Sequence, residues 1–242
     1  MRKFLRLLAA ALAFSGAVGT ASAQVMTFDN LDTTFAPGAP FLGHLDSLIE
    51  GDYAVTAFST KAGAQAGDLV GAVMDSSSCF SVQCPVNNAT SFLGSLNDGG
   101  SAFFRTDGGL FSMTQFDASF LGAEGVPIPG VSLVLQVFGY DAFGIQTGFA
   151  QINFPGATNG DLSFATYAMN SAFSSTLFAE VDMIGFACNA AGSCNRTTNL
   201  AQFAVDNVNF VAAPVPEPST WALLCLGLIG IAVIRRRTTA KA

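Results

Sequence analysis

The sequence predicts an all-β protein whose body is a two-sheet antiparallel β-sandwich of the jelly-roll type. Phenylalanine is abundant, with 23 residues, and no long segment keeps the 3.6-residue apolar period of a helix. Glycine and Asn/Asp/Ser clusters, such as residues 97–100 and 159–161, recur at intervals of about ten residues. An immunoglobulin-like sandwich is the alternative. It is disfavoured because no cysteine pair has a long cross-sheet spacing with a tryptophan between.

Short apolar runs bounded by turn residues predict ten strands in this body, which spans residues 24–214 as one domain. The predicted strands are Val25–Asn30, Tyr53–Ser59, Leu69–Met74, Ser101–Thr106, Leu110–Asp117, Val131–Phe138, Ile145–Phe154, Leu162–Tyr167, Leu177–Ala187 and Leu200–Val211.

Residues 1–23 have the composition of a secretory signal peptide. Arg2, Lys3 and Arg6 precede an apolar run over residues 7–18, and the small residues 21–23 follow it. A basic start, an apolar middle and a small-x-small end are the features that signal peptidase recognises. The sequence therefore predicts an exported protein whose mature form begins at Gln24.

Residues 215–242 form a tail of three parts: a polar motif, an apolar segment and a basic cluster. The apolar segment, from Trp221 to Ile234, is predicted to be a short transmembrane helix. Fourteen residues span roughly 21 Å as a helix, less than a hydrocarbon core of about 30 Å. The tail therefore has the properties of a transient anchor. The polar motif is Val215, Pro216, Glu217, Pro218 and Ser219, and the membrane stop is Arg235, Arg236 and Arg237.

This order of motif, apolar run and arginines resembles the PEP-CTERM sorting signal of Gram-negative bacteria that make exopolysaccharide. The resemblance implies that a membrane-embedded exosortase reads Pro216-Glu217-Pro218 and that the tail is removed during export. It also implies the secretion machinery as a partner and a cell-surface or extracellular location, after transient attachment to the inner membrane. An ordinary single-span anchor that stays on the protein is the alternative.

The end of the body carries the word Gln202-Phe203-x-x-Asp206, which resembles a subset of PEP-CTERM proteins named for a QFxxD motif. Apolar residues change parity across Asp206-Asn207, which predicts a β-bulge there. Residues 109–210 are similar in pattern to the jelly rolls of carbohydrate-binding modules.

Charge excludes one class of partner. Between residues 24 and 214, three basic residues stand against sixteen acidic ones, a net charge of −13. No basic patch exists to bind nucleic acid or anionic lipid. The acidity suits solubility after export, and it also suits binding of Ca²⁺.

Four cysteines lie in two close pairs, Cys79 with Cys84 and Cys188 with Cys194. In an exported chain such pairs predict disulfides that staple loops. Neither pair has the spacing of a zinc site, and the single histidine, His44, lies far from both in sequence.

No catalytic motif is present, so we expect a protein that is not an enzyme. His44 has no motif around it, and the scattered carboxylates select no pair for acid–base chemistry. Asp29 and Asp206, on the two terminal strands, could hold a structural Ca²⁺. The alternative is that both are turn or bulge residues without an ion, and no other cofactor is expected.

The function that these observations predict is a non-catalytic surface or extracellular-matrix protein with a structural or adhesive role at exopolysaccharide. The alternative is a lectin-like carbohydrate-binding module that recognises extracellular polysaccharide. Such a module would need exposed aromatic platforms, for which Tyr53, Tyr140 and Tyr167 are the candidates.

Overall fold

The computed structural model describes residues 22–79, 82–123, 132–154, 160–189, 191–196, 200–214 and 227–228. Residues Ala23–Ala213 form one compact unit. The sorting motif at residues 215–219, the arginine cluster at 235–237 and most of the predicted signal peptide lie outside the described residues. Within the described ranges, no helix has the length and apolar character to cross a membrane.

Sixteen strands and one short helix make up the described part of the chain. The strands are β1 (Ala23–Met26), β2 (Phe41–Gly43), β3 (Ser47–Glu50), β4 (Tyr53–Ser59), β5 (Leu69–Met74), β6 (Val82–Gln83), β7 (Phe92–Ser95), β8 (Gly99–Arg105), β9 (Phe111–Phe120), β10 (Gly122–Ala123), β11 (Ser132–Tyr140), β12 (Gln146–Asn153), β13 (Ala165–Ala168), β14 (Glu180–Cys188), β15 (Cys194–Asn195) and β16 (Phe203–Ala212). The helix α1 (Ser171–Ser174) is capped by the side chain of Asn170.

Two antiparallel seven-stranded sheets build the unit, which confirms the predicted sandwich. The first sheet has the order β13-β9-β16-β7-β5-β2, and β1 pairs with β16 beside that path. The second sheet has the order β12-β11-β14-β8-β4-β3, with β15 on β14. The short strands β6 and β10 form a separate ribbon.

The predicted strands match the observed ones closely where the apolar residues alternate. Tyr53–Ser59 and Leu69–Met74 agree residue for residue. The first predicted strand ends four residues early, at Met26, because Phe28 has a positive φ of 60° that leaves the β region. The predicted strand from Leu162 begins instead at Ala165.

Four strands of the two main sheets were not predicted: β2, β3, β7 and the two-residue β15. β2 and β3 have three and four residues, too few to show an alternating pattern. All four residues of β7 are buried, so its apolar and small residues do not alternate with polar ones. A short central strand that is covered on both faces therefore cannot be recognised from alternation in the sequence.

The core lies between the two sheets and is rich in aromatic rings. Phe210 of β16 is fully buried, and its ring stacks on that of Tyr53, with centroids 4.2 Å apart. Phe111 meets both rings edge-on, at 5.3 Å from Phe210 and 5.5 Å from Tyr53. This aromatic cluster joins the first sheet to the second.

A smaller apolar cluster covers the outer side of the first sheet. It contains Phe92, Leu121 and Cys79, with Cys84 packed at its edge. The Cys79–Cys84 disulfide therefore belongs to a packed layer as well as closing a loop. The second predicted disulfide, Cys188–Cys194, is also present, where β14 pairs with β15.

Candidate functional site

The last strand changes partners halfway along its length. Its first half, Phe203–Val205, pairs with β7, and its second half, residues 208–211, pairs with β1. On its other edge β16 pairs with β9, and the register shifts between Asp206 and Asn209. The predicted register break is therefore confirmed, and it coincides with the change of partner.

The bulge allows residues of both parities to face one core. Asn207 has a φ of 49°, a left-handed conformation that Asn tolerates better than most residues. This conformation of Asn207 rotates the second half of the strand relative to the first, so all four apolar residues around the break are buried. These residues are Phe203, Val205, Val208 and Phe210.

The Asp206 carboxylate is fully buried at this break and receives three hydrogen bonds. Asn88 donates its Nδ2 to Oδ2 at 2.7 Å, and Thr90 donates its Oγ1 to the same oxygen at 3.2 Å. The backbone N–H of Asn207 donates to Oδ1 at 2.7 Å. Burial raises the pKa of Asp206 to about 6, and these hydrogen bonds oppose the rise.

Asp29 also holds this segment. Its Oδ1 accepts a hydrogen bond from the backbone N–H of Ser91 at 3.0 Å, and its charge adds to the raised pKa of Asp206. The two carboxylates thus secure residues 88–91, which lead into β7. Among the described residues, no three His, Cys, Asp or Glu side chains are grouped to hold a metal. The N–H and O–H donors around Asp206 fit a hydrogen-bonded carboxylate better than a Ca²⁺ ligand.

Gln202, the other polar residue of the QFxxD word, is also buried. Its Oε1 accepts a hydrogen bond from the backbone N–H of Asn97, at 3.3 Å, in the turn before β8. Gln202 and Asp206 therefore attach the two turns that flank β7 to the last strand. The motif has a structural cause, because buried polar atoms that lose a partner are costly.

A polar depression of about 210 Å³ lies beside the break, and its side chains bond to one another. Asn207 donates to Asp117 Oδ2 at 2.8 Å, and Thr166 donates to Asp117 Oδ1. Asn87 accepts from the backbone N–H of Phe164 and donates to its carbonyl oxygen. These bonds tie the strands β9, β13 and β16 to one another and the Asn87 segment to Phe164, so each of these side chains has a structural partner.

Replacing Asp206 with alanine should lower the free energy of unfolding by about 1–3 kcal/mol. The substitution removes the acceptor of the Asn88 amide and of the Asn207 backbone N–H, whereas the Thr90 hydroxyl keeps its hydrogen bond to Asn88 Oδ1. Urea unfolding measures the change. Asp52→Ala is the matched control, because Asp52 is an exposed aspartate and its substitution should change stability by less than about 0.5 kcal/mol.

Chelation tests whether Asp206 and Asp29 share a Ca²⁺, which stays a proposal. If the hydrogen-bonded bulge is the whole account, EDTA and added Ca²⁺ should leave the melting temperature of the wild type unchanged. A bound ion would instead make the melting temperature follow its free concentration. In that case EDTA would lower the wild-type value and leave Asp206→Ala almost unaffected.

A different surface, the outer face of the second sheet, presents two rows of side chains. The first row crosses six strands in register, and the second crosses five. The first row is Phe149, Phe138, Asp182, Ala102, Thr56 and Ser47; the second is Tyr140, Glu180, Phe104, Ala54 and Ile49. We call these two rows the outer face.

A groove of about 270 Å³ lies in the outer face, around the side chains of Asp182 and Glu180. Leu45, Phe58 and Phe104 form its apolar walls. Leu45 and Phe104 also line a neighbouring depression of about 440 Å³, where Leu45 is 62% exposed. The two depressions therefore form one continuous apolar surface with an acidic pair at one end.

Burial, followed by the charge of Glu180, raises the pKa of Asp182 to about 7. Its Oδ1 atom is buried and has no hydrogen-bond partner among the described residues. A buried acceptor without a donor is costly in the free protein. The outer face therefore contains an acceptor that is unsatisfied in the free protein, on a side chain that lines the groove.

Stability should fall as the pH rises from about 4 to about 8. In the folded protein the pKa is raised to about 6 for Asp206 and to about 7 for Asp182. The contribution of these two groups to stability is therefore complete below the unfolded pKa and is lost as the pH rises through these two values. Asp182→Asn should flatten the upper part of this fall. At pH 8 the free energy of unfolding of Asp182→Asn should exceed that of the wild type by on the order of 1 kcal/mol.

Urea unfolding at half-unit pH steps measures this change. Asp75→Asn is the control, because hydrogen bonds from Ser77 lower the pKa of Asp75 and move its contribution below about pH 4. Equal slopes for the wild type and Asp182→Asn between pH 6 and 8 would contradict the assignment.

Of the three tyrosines proposed as exposed platforms, two are partly exposed and one is buried. Tyr140 lies partly exposed on the outer face. The prediction for Tyr53 is wrong, because Tyr53 is only 1% exposed and belongs to the central aromatic cluster. Tyr167 is partly buried against Phe154 and Phe116. His44 accepts a hydrogen bond from the backbone N–H of Ser59 at 3.0 Å, which gives it a structural contact.

Sequence reasoning missed the outer face. Phe103 and Phe104 are adjacent, so one ring points into the core and the other points outward. Apolar residues on both faces of a strand normally indicate that both faces are buried, so the pattern does not predict that the ring of Phe104 is partly exposed. The outward parity of Ala54, Thr56 and Phe58 on β4 is the signal that could have revealed it.

A β-sandwich body followed by a Pro-Glu-Pro motif, an apolar segment and arginines defines an exported protein with a C-terminal sorting tail. The family model described as PEP-CTERM protein-sorting motif matches residues 214–237. The chain therefore carries this motif, which indicates export with membrane attachment before processing and is consistent with an exosortase substrate. The narrower QFxxD subset is not confirmed.

No curated protein matches this chain. Among solved structures, a DUF4465 family protein from Bacteroides caccae is similar, with a TM-score of 0.52 and 15% identity over 79% of this chain and 100% of that one. A second DUF4465 family protein, from Bacteroides ovatus, has a TM-score of 0.42 and 8% identity over 79% and 99% of the two chains. The first of these similarities shows that the fold is shared.

Proposed function

We propose that the protein is an exported, non-catalytic component of the cell surface or extracellular matrix, with a structural or adhesive role at exopolysaccharide. The observation that carries this proposal is the PEP-CTERM motif at residues 214–237, directly after a sandwich unit that ends at Ala213. In this view exosortase removes the tail, and the stable sandwich is what reaches the matrix. The secretion machinery and exosortase are then its partners before processing.

Processing is tested by mass spectrometry of the protein outside the cell. The mature chain should begin at Gln24 and should contain nothing beyond about residue 220. In a strain without the exosortase, the protein should remain in the membrane fraction with its arginines at 235–237. Recovery of an intact tail in the secreted form would contradict the sorting role.

The adhesive role is tested in the producing cells. Deletion of the gene should weaken the matrix or change its cohesion without stopping polysaccharide synthesis, and the wild-type protein should co-purify with the polysaccharide. Loss of the protein without any change in the matrix, together with no co-purification, would count against this role.

The alternative, a lectin-like carbohydrate-binding module, is favoured by one specific observation. The outer face presents phenylalanine rings beside an unsatisfied carboxylate oxygen. Aromatic faces and a few polar groups are the usual components of a small-molecule or sugar site. A pull-down on purified host exopolysaccharide tests it, because a module should bind the isolated polymer saturably whereas a structural protein need not.

A further inference from the structure

The first row of the outer face offers a long, continuous track. It crosses six strands from Phe149 on β12 to Ser47 on β3. Neighbouring strands lie about 4.8 Å apart, so the row is about 24 Å long. A track of this length suits an extended chain that lies across the strands.

Phenylalanine rings stand along this track and beside it. Phe58, Phe104 and Phe138 are partly exposed, and Phe149 is 49% exposed. Phe138 and Phe149 lie side by side, with ring centroids 5.5 Å apart. Rings with a free face provide flat apolar surface that another ring can cover.

An oxygen atom without a hydrogen-bond partner among the described residues belongs to a residue in the middle of the track. Asp182 is the third residue of the first row, between Phe138 and Ala102, and its buried Oδ1 lacks a hydrogen-bond partner within the described structure. In its ionised form a carboxylate oxygen only accepts hydrogen bonds, so the group that satisfies it in that form is a donor. Glu180 in the adjacent row adds a second acceptor.

Charge narrows the choice of donor. Neither row contains Lys, Arg or His, and residues 24–214 carry a net charge of −13. A chain rich in uronic acid or sulfate would meet two carboxylates with no cation to offset them, which is unfavourable. A neutral chain of hydroxyl groups supplies donors without this repulsion.

We propose that the outer face binds a neutral, hydroxyl-rich glycan chain laid across the strands. Its sugar rings cover Phe58, Phe104 and Phe138, and a hydroxyl group donates to Asp182. This assignment rests on the proposed role at exopolysaccharide, and it adds the site and the chemical class of the polymer. The apolar ring faces and the lone acceptor are then two parts of one binding surface.

Affinity electrophoresis of the full chain in mild detergent tests the proposal, with the polymer cast in the gel. The probes are a neutral glucan, a neutral galactan, polygalacturonate as the acidic polymer and chitosan as the amine-bearing one. We expect at least one neutral polymer to retard the wild type and polygalacturonate to leave it unretarded. Phe104→Ala and Asp182→Ala should each weaken retardation at least tenfold. Phe143→Ala should leave it unchanged, since Phe143 is 88% exposed and lies outside the two rows.

Three outcomes overturn the proposal in different ways. If a neutral polymer binds but Phe104→Ala and Asp182→Ala bind it equally well, the site lies elsewhere and the broader function stands. If chitosan binds in preference to every neutral polymer, the occupant is a cation. If the wild type binds neither these probes nor host exopolysaccharide, the proposed function fails as well. Phe58→Ala is the second variant should Phe104→Ala fail to fold, as judged by its melting temperature.

Discussion

Phe210→Ala is expected to lower the free energy of unfolding by about 3–5 kcal/mol, the range for truncating a fully buried aromatic side chain. The ring is fully buried, stacks on Tyr53 at 4.2 Å and meets Phe111 edge-on at 5.3 Å. Its removal leaves a cavity between the two sheets, where backbone pairing on both sides limits relaxation. It also removes aromatic contacts worth about 0.5–1.5 kcal/mol each.

Urea unfolding followed by circular dichroism measures this loss. Phe143→Ala is the matched control, because the same atoms are deleted from a ring that is 88% exposed. The control should change stability by less than about 0.5 kcal/mol. A Phe210→Ala variant within that same range would mean that the aromatic cluster does not join the two sheets.

Gly185→Ala should have a comparable effect for the opposite reason. Gly185 lies on β14 and faces the first sheet. An added Cβ would overlap the backbone carbonyl oxygen of Ala201 and would lie 2.9 Å from the ring of Phe203. A backbone group cannot rotate away as a side chain can, so the two sheets must separate locally. We expect a loss of about 3 kcal/mol or more, at the upper end of overpacking effects.

Gly63→Ala separates this steric effect from the general cost of replacing glycine. Gly63 has a φ of 79° and open space where its Cβ would lie, so it should lose about 1 kcal/mol from backbone strain alone. Melting temperatures of both variants give the comparison. Equal losses at the two positions would show that the sheets are not in close contact at Gly185.

The fold class could be predicted because an alternating strand is recognisable from a short stretch of sequence. Tyr53–Ser59 keeps its core residues Tyr53, Val55 and Ala57 on one parity, and turn residues bound it on both sides. The bulge at Asp206-Asn207 was also predictable, since an extra residue in the ladder is what changes the parity of apolar residues within one strand. Short strands such as β7 were not, because burial on both faces removes the alternation.

The candidate sites divide in the same way. The sequence singled out Asp206, whereas its hydrogen bonds from Asn88 and Thr90 come from residues more than a hundred positions away. The outer face was not predictable, because Phe104, Phe138 and Asp182 meet only through the register of three strands. The same register places Tyr140 on the surface, and sheet packing buries Tyr53.

By itself the sequence determined the sorting motif near the C-terminal end, the all-β class, the two disulfide pairs and the break in the last strand, and it predicts a signal peptide at the start. Each of these depends on residues that are neighbours in the chain or on overall composition. The tertiary structure alone decided which carboxylates are buried, which aromatic rings are exposed and which glycines lie against a neighbouring backbone. Those properties arise from pairing between strands distant in sequence, and a one-residue change of register would move every side chain to the opposite face.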